Sequence, residues 1–286
     1  MLTVSNRVSA RSAQPKPPTN LLALLCKKAS LAGAFFVAAI WLPGVWAFCP
    51  APVGLPLVKV QRVVDGDTLR LVDGRSVRMI GLNTPETGKK DQPAEPLAER
   101  AKRRLQALVN DNGGSVGLRL GEQGRDHYGR TLAHVYGRDG RNLEAQLLSE
   151  GLGFQVAVVP NVALVDCQRQ AEDVARRGRL GLWRDWPVIP ATRVDKDGFA
   201  LVSGRVDSVR RNAAGVWIEL QGGVVLRIAP PLLGRFDGKA LERLQGRQVQ
   251  ARGWVVDRSR RGGLRAGRAR WLIPLTHPLM LRSIAD

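Results

Sequence analysis

The chain has 286 residues, 44% of them hydrophobic, and its 44 Lys and Arg outnumber its 25 Asp and Glu, for a formal charge of +19. That is room for about two domains at ~100 to 200 residues each, both able to bury a core, so a chain too small or too polar to fold is excluded. The charge favours a polyanionic partner, either nucleic acid or an anionic membrane surface, and does not by itself choose between them.

The charge is also uneven. Residues 1–47 carry a net +5 with no acid, residues 48–190 a net +4, and residues 191–286 a net +10. In the first segment Arg7, Arg11, Lys16, Lys27 and Lys28 precede the apolar run LAGAFFVAAIWLPGVWA, which reads as a signal peptide cleaved after Ala47 and an exported, periplasmic or secreted chain. The alternative is an uncleaved inner-membrane anchor through residues 29–47, because the run approaches the ~20 residues that span a bilayer. Pro43 and the Val45-x-Ala47 ending favour cleavage. Cys26 then leaves with the signal. Cys49 and Cys167 remain as an even pair in an oxidising compartment and are expected to form a disulfide; the other reading is a buried Cys167 and a free Cys49 thiol.

LVKVQRVV, TLRLV and SVRMIGL alternate as strands, the last two joined by an Asp73-Gly74 hairpin signal. TGKKDQPAEP reads as a polar loop. Leu97, Ala101, Leu105 and Leu108 mark an amphipathic helix over 96–109. Strands SVGLRL and TLAHVYG follow, then a helix with Asn142 as N-cap and Gly151 as stop, and a strand-like GFQVAVV. Leu164, Cys167, Ala171, Val174 and Ala175 give one apolar face of a second long helix ending near Gly178.

Pro187 and Pro190 place a linker at 187–198, separating a domain at 48–186 from one at 199–286. The second contains about five short strands between Gly-rich turns, with one helix in GKALERLQG, which fits a small barrel or sandwich. There Arg258, Arg260, Arg261, Arg265, Arg268 and Arg270 lie between Trp254 and Trp271 and are candidates to track a phosphate backbone. Trp217, Trp254 and Trp271 are assigned to the core.

Five residues between Val64 and Glu86, Asp65, Asp67, Asp73, Arg78 and Glu86, can meet at one edge of the first hairpin. Oxygens of Asp67 and Asn83 are hard ligands, suited to Ca²⁺ or Mg²⁺. No HExxH or Cys/His zinc spacing occurs, and His127, His134 and His277 are scattered. Arg78 and Arg130 can grip phosphate bidentately, and Glu86 can orient or deprotonate a water that attacks it.

Three blocks, Asp65-Gly66-Asp67-Thr68, Val77 to Glu86 (VRMIGLNTPE) and Asp126 to Ala133 (DHYGRTLA), stand in the order that resembles the staphylococcal-nuclease-like (thermonuclease) family over residues 57 to about 186. The resemblance implies a mainly β fold with α, a five-stranded OB-type barrel with packed helices; the strand count, Gly-rich turns and charge of residues 199–286 add a second, OB-like barrel. It implies Ca²⁺-dependent hydrolysis of DNA and RNA, leaving 3′-phosphate and 5′-hydroxyl ends. By motif position Arg78 and Arg130 bind the phosphate, Glu86 is the general base, Asp67, Asn83 and the Thr84 carbonyl hold the metal, and Tyr128, with His127 beside it, contacts the nucleotide. Two departures matter. Asn83 stands where the family has an aspartate ligand, and the segment Gln155 to Val159 lacks the family's pocket tyrosines. The same fold kept as a catalytically silent nucleic-acid binder, or as a membrane-tethered basic protein, are the rival expectations.

Overall fold

The Asp73-Gly74 turn forms as predicted: Gly74 takes a positive φ of 87° and the Asp73 carboxylate accepts from the Arg75 amide at 3.0 Å. This turn joins β2 (Thr68–Leu71) to β3 (Ser76–Met79), and β1 (Leu57–Val63) pairs with β2 on the other side. β4 (Leu82–Asn83) leaves this sheet, and α1 (Ala98–Asp111) then buries Ala98, Ala101, Leu105, Leu108 and Val109. β5 (Ser115–Arg125) and β6 (Thr131–Tyr136) close a five-stranded barrel in the order β1-β2-β3-β6-β5. Its β3–β6 contact is parallel. A computed structural model describes residues 48–88, 93–185, 187–261 and 267–284. The signal or anchor segment at 1–47 lies outside the described residues, as does Arg265.

α2 (Leu143–Ser149) starts where expected, with the Asn142 side chain accepting from the Ala145 amide at 2.8 Å. The strand expected over GFQVAVV is shorter than its apolar run suggests: only β7 (Phe154–Gln155) pairs, and it pairs with β4. α3 (Val165–Gly178) ends at the predicted glycine, but its buried face differs from the predicted one. Gln168 and Glu172 are buried on it, while Val174 is exposed. Cys167 on α3 is bonded to Cys49, the two Cα atoms 5.5 Å apart, which bears out the expected disulfide.

The segment expected as a linker is built into the second barrel instead: β8 (Val188–Pro190) pairs in parallel with β9 (Gly198–Asn212). β10 (Gly215–Leu220), β11 (Val224–Ile228), the short α4 (Gly238–Glu242), β12 (Gln248–Asp257), β13 (Trp271–Leu275) and β14 (Leu281–Ser283) follow. β9 bonds to both β10 and β12, so the strands close in the order β9-β10-β11-β13-β12, with β11–β13 parallel. This repeats the topology of the first barrel, strand for strand.

The barrels share a core edge. Ala157 and Val165 of the first pack into the cluster built on Val202, Ile218 and Leu226 of the second, and Trp183 packs with Leu201, Phe154 and Phe199. At the same junction Arg252 of β12 is buried and donates to the Gln155 carbonyl at 2.9 Å and to both Glu172 oxygens at 2.8 Å. Glu172 in turn accepts from the Gln155 amide at 2.7 Å. A charge pair taken out of water stays favourable only when its remaining hydrogen-bonding capacity is met, and here Gln155 meets it.

Candidate active site

Strand pairing explains why residues far apart in sequence meet. Thr68 of β2 lies opposite Arg78 of β3, and Arg78 lies beside Leu132 of β6, two positions past Arg130. Asp67 and Arg78 therefore sit at one end of the β2–β3 pair, and Arg130, just ahead of β6, enters level with Ser76, two residues before Arg78. The turn holding Asp67 needs glycine: a Cβ on Gly66 would come within 2.7 Å of Thr84 Oγ1 and 2.8 Å of the Ala101 methyl. Gly81, at φ +84°, would strike Gln168, whose amide caps the Ile80 carbonyl at 2.9 Å.

Asp67 is 1% exposed, and its oxygens are fully engaged. Oδ2 accepts from the Thr84 amide at 2.8 Å and from Thr84 Oγ1 at 3.0 Å, while Oδ1 accepts from Thr68 Oγ1 and ion-pairs with Arg78. Arg78 also donates to Asn83 Oδ1 at 2.9 Å and to the Leu82 carbonyl at 3.3 Å. Burial pushes the Arg78 guanidinium down to about 10; the nearby Arg130 charge adds to this, while Asp65, Glu86 and Asp126 oppose it. These five groups thus share one electrostatic environment.

Arg130 is half-buried, held by its backbone amide and Nε to the two oxygens of Asp126 at 2.9 and 2.7 Å, and stacks 5.4 Å from the Tyr128 ring centroid. Burial would raise the Asp126 carboxyl, but the Arg130 hydrogen bonds and charge outweigh it and hold it below its ordinary range. Tyr128 is 73% exposed, its ring 3.7 Å from that of His127. Tyr128 and Arg130 line a cleft of about 560 Å³ with Arg70, Arg75, Arg125 and Thr131. The Glu86 side chain is exposed; its main chain is clasped to Glu95 by bonds of 2.9 and 3.0 Å.

The site has a partner that reading the motifs for roles passed over. Asp65 accepts from the Asp67 amide at 3.0 Å, and burial raises its carboxyl above the ordinary range against the pull of Arg78, Thr68 and Arg130. Asp126 likewise positions Arg130. Both stand inside the motif blocks, so the signal was there. Among the described residues no group of three or more His, Cys, Asp or Glu is placed to hold a metal. Asp67 and Asn83, with Asp65 joined to them through the Asp67 amide, bring hard oxygen donors to this strand end, the chemistry that suits a divalent cation. Arg78 holds two of those same oxygens, on Asp67 and Asn83.

The arginines of 258–270 are placed differently from a free cationic track. Arg270 chelates Asp257 at 2.7 to 3.2 Å and stacks on Trp271, and Arg260 pairs with Asp197 at 2.9 Å. Arg258 donates to the Ala269 carbonyl at 2.9 Å, Arg268 is exposed, and the side chains of Arg261 and Arg265 lie outside the described residues. Trp271 is buried as expected. Trp254, at 40% exposure, and the half-buried Trp217 are not core residues. They occupy the outward positions of their strands.

The family model described as "Staphylococcal nuclease homologue" matches residues 76–185, which include Arg78, Glu86 and Arg130. The chain is 37% identical over 131 residues to Endonuclease YncB of Bacillus subtilis (strain 168), covering 44% of this chain and 61% of that protein. It is 35% identical over 129 residues to Thermonuclease of Staphylococcus hyicus, covering 44% and 74% of the two chains. Micrococcal nuclease of Shigella flexneri is 30% identical over 139 residues, covering 44% and 73%. The chain therefore spans under two thirds of YncB but almost three quarters of the other two. With the barrel, the motif blocks and these matches in agreement, the chain belongs to the staphylococcal nuclease family.

Proposed function

We propose that the protein is an exported, metal-dependent nuclease that hydrolyses phosphodiester bonds of DNA and RNA to 3′-phosphate and 5′-hydroxyl products. The observation that carries this reading is that two guanidinium groups, Arg78 and Arg130, and the Glu86 carboxylate lie close enough for Arg78 to feel both of the other charges, with Arg130 lining a basic cleft. Arg78 is buried and preoriented by Asp67 and Asn83, and Arg130 by Asp126, so both present fixed positive charge where phosphoryl oxygens gain negative charge. Glu86 orients a water and takes its proton. Tyr128 offers an exposed ring to the nucleotide beside Arg130. Asp67, Asn83 and the Thr84 carbonyl would hold a calcium ion, which would supply Lewis-acid stabilisation of the phosphate. Export is supported by the disulfide, whose Cys49 lies two residues beyond the proposed cleavage point.

A second reading, a catalytically silent nucleic-acid binder, draws on one observation: Arg78 occupies the Asp67 and Asn83 oxygens that a metal would need. Digestion of plasmid DNA and of RNA, with calcium or with chelator, separates the two. Calcium-dependent cleavage that falls by roughly 10²-fold or more in Glu86→Gln is the expected result. No cleavage with any divalent metal, with binding intact, would establish the silent binder.

A further inference from the structure

We propose that the outer face of β10 and β11, centred on Trp217, is a second nucleic-acid-binding platform, one that takes a single strand by base stacking and cation contact. The inference rests on the reading of nucleic acid as the partner, and is independent of whether the active site cuts it.

In β10 the residues Val216, Ile218 and Leu220 point into the barrel, which turns Trp217 outward. An indole on the outer face of a sheet normally finds apolar cover. Trp217 instead has Arg210 opposite it on β9 and Arg227 opposite it on β11. The guanidinium carbons of Arg227 and Arg258 lie 5.1 and 5.7 Å from the ring centroid, and the indole N–H donates to Asn212 Oδ1 at 3.2 Å. The ring is thus fixed in place and met by one cation from the neighbouring strand β11 and one from the β12–β13 connection.

What holds those cations decides what they are available for. Arg210 pairs with Glu219, Arg260 with Asp197 and Arg270 with Asp257, so their charge is balanced within the fold. Arg227 is held by the Ala214 carbonyl at 3.0 and 3.2 Å, and Arg258 by the Ala269 carbonyl at 2.9 Å. Among the described residues neither pairs with a carboxylate. Two preoriented guanidinium groups with no carboxylate partner, next to a half-buried indole, match the alternation of phosphate and base along a strand.

The place in the barrel agrees. β10 and β11 are the second and third of five strands, and the flanking connections are the β9–β10 turn and the arginine-rich β12–β13 connection, the side on which barrels of this topology take oligonucleotides. The face formed by β12 and the start of β9 is already used against the first barrel through Arg252, Leu201 and Phe199. A duplex buries its base faces, so stacking on Trp217 selects an unpaired strand.

The test is anisotropy of a labelled 20-residue oligothymidylate, with the purified chain in chelator, across a salt series. Trp217→Ala is expected to weaken binding by roughly 5- to 100-fold, with a smaller effect on a duplex of equal length. Arg227→Gln combined with Arg258→Gln, which leaves the sheet's apolar side untouched, is expected to reduce the slope of log K against log salt by about 1.4. Unchanged affinity and slope in both variants, or an equal loss for single strand and duplex in Trp217→Ala, would overturn the proposal. Should the chain cleave plasmid normally while these variants bind as before, this inference falls and the active-site reading stands. Binding through Trp217 without cleavage would uphold the platform and remove the active-site reading.

Discussion

In the proposed metal-dependent reaction, Asn83 is the residue at which Arg78 and a cation would compete for the oxygens around Asp67. As an amide it contributes one neutral carbonyl oxygen, and that oxygen already accepts from Arg78 at 2.9 Å. Asn83→Asp adds a carboxylate at that point, and tighter calcium binding follows from ligand charge. The half-saturating calcium for cleavage is expected to fall by about tenfold, on the order of 1.4 kcal/mol; an unchanged or higher requirement, with Arg78 retaining the new carboxylate, would show that the guanidinium and not the metal owns this position. A second residue sets a pH dependence. His134 is buried in β6 and its pKa is pushed down to about 4, first by burial and then by the Arg119 charge. The unfolded chain binds a proton there below its ordinary 6.5 while the folded one does not, so stability is lost as pH falls from 6.5 towards 4 and is unaffected above it. Glu144, 3.8 Å away, is pushed up to about 8 by its own burial, stays neutral through that window and offers the imidazolium no charge. The loss amounts to about 3 kcal/mol. His134→Leu should remove that acid-side loss, read as a urea midpoint at pH 4.5 that is higher, relative to the midpoint at pH 7, than in the unsubstituted protein.

Among the elements, the local ones were legible. The Asp73-Gly74 hairpin, the Asn142 cap and the three motif blocks each carry their signal within about ten residues, because turn geometry and capping are set by neighbours in sequence. The buried polar face of α3 was not. Gln168 and Glu172 fall outside the predicted apolar face, and Val174 within it, until the strands they meet are known: Gln168 caps β3's exit at Ile80, and Glu172 meets β7 and β12. Trp217 was assigned to a core for the same reason, since an aromatic residue in a strand does not announce which side of the barrel it faces. The α3–β7–β12 contact also bears a large energetic consequence. Arg252→Ala takes the hydrogen-bonded cation away from the buried Glu172 and strips the Gln155 carbonyl of that partner. A loss of about 3 to 5 kcal/mol is expected from chemical denaturation; near wild-type stability in this variant would mean that water reaches Glu172.

At the scale of the molecule, two barrels of one topology are fused through a shared core edge and not strung on a linker. β4 and β7 form the link to the site: Asn83 pairs with Phe154, and Phe154 stacks on Phe199 of β9. The active-site strand end therefore leans, through one two-residue ladder, on the second barrel. The Cys49–Cys167 bond closes a separation of 118 residues around the first barrel. On the chain-entropy account such a loop contributes about 4 to 5 kcal/mol, so Cys49→Ser with Cys167→Ser should lower the unfolding free energy by that order, measured under non-reducing conditions. The same bond has a bearing on the cell that makes the protein. A nuclease is a hazard to its own producer, and a chain held in reducing cytosol lacks this cross-link and the stability it confers. On the proposed reading of an exported nuclease, completion of the fold is tied to departure from the compartment that holds the chromosome, a form of self-protection written into two cysteines.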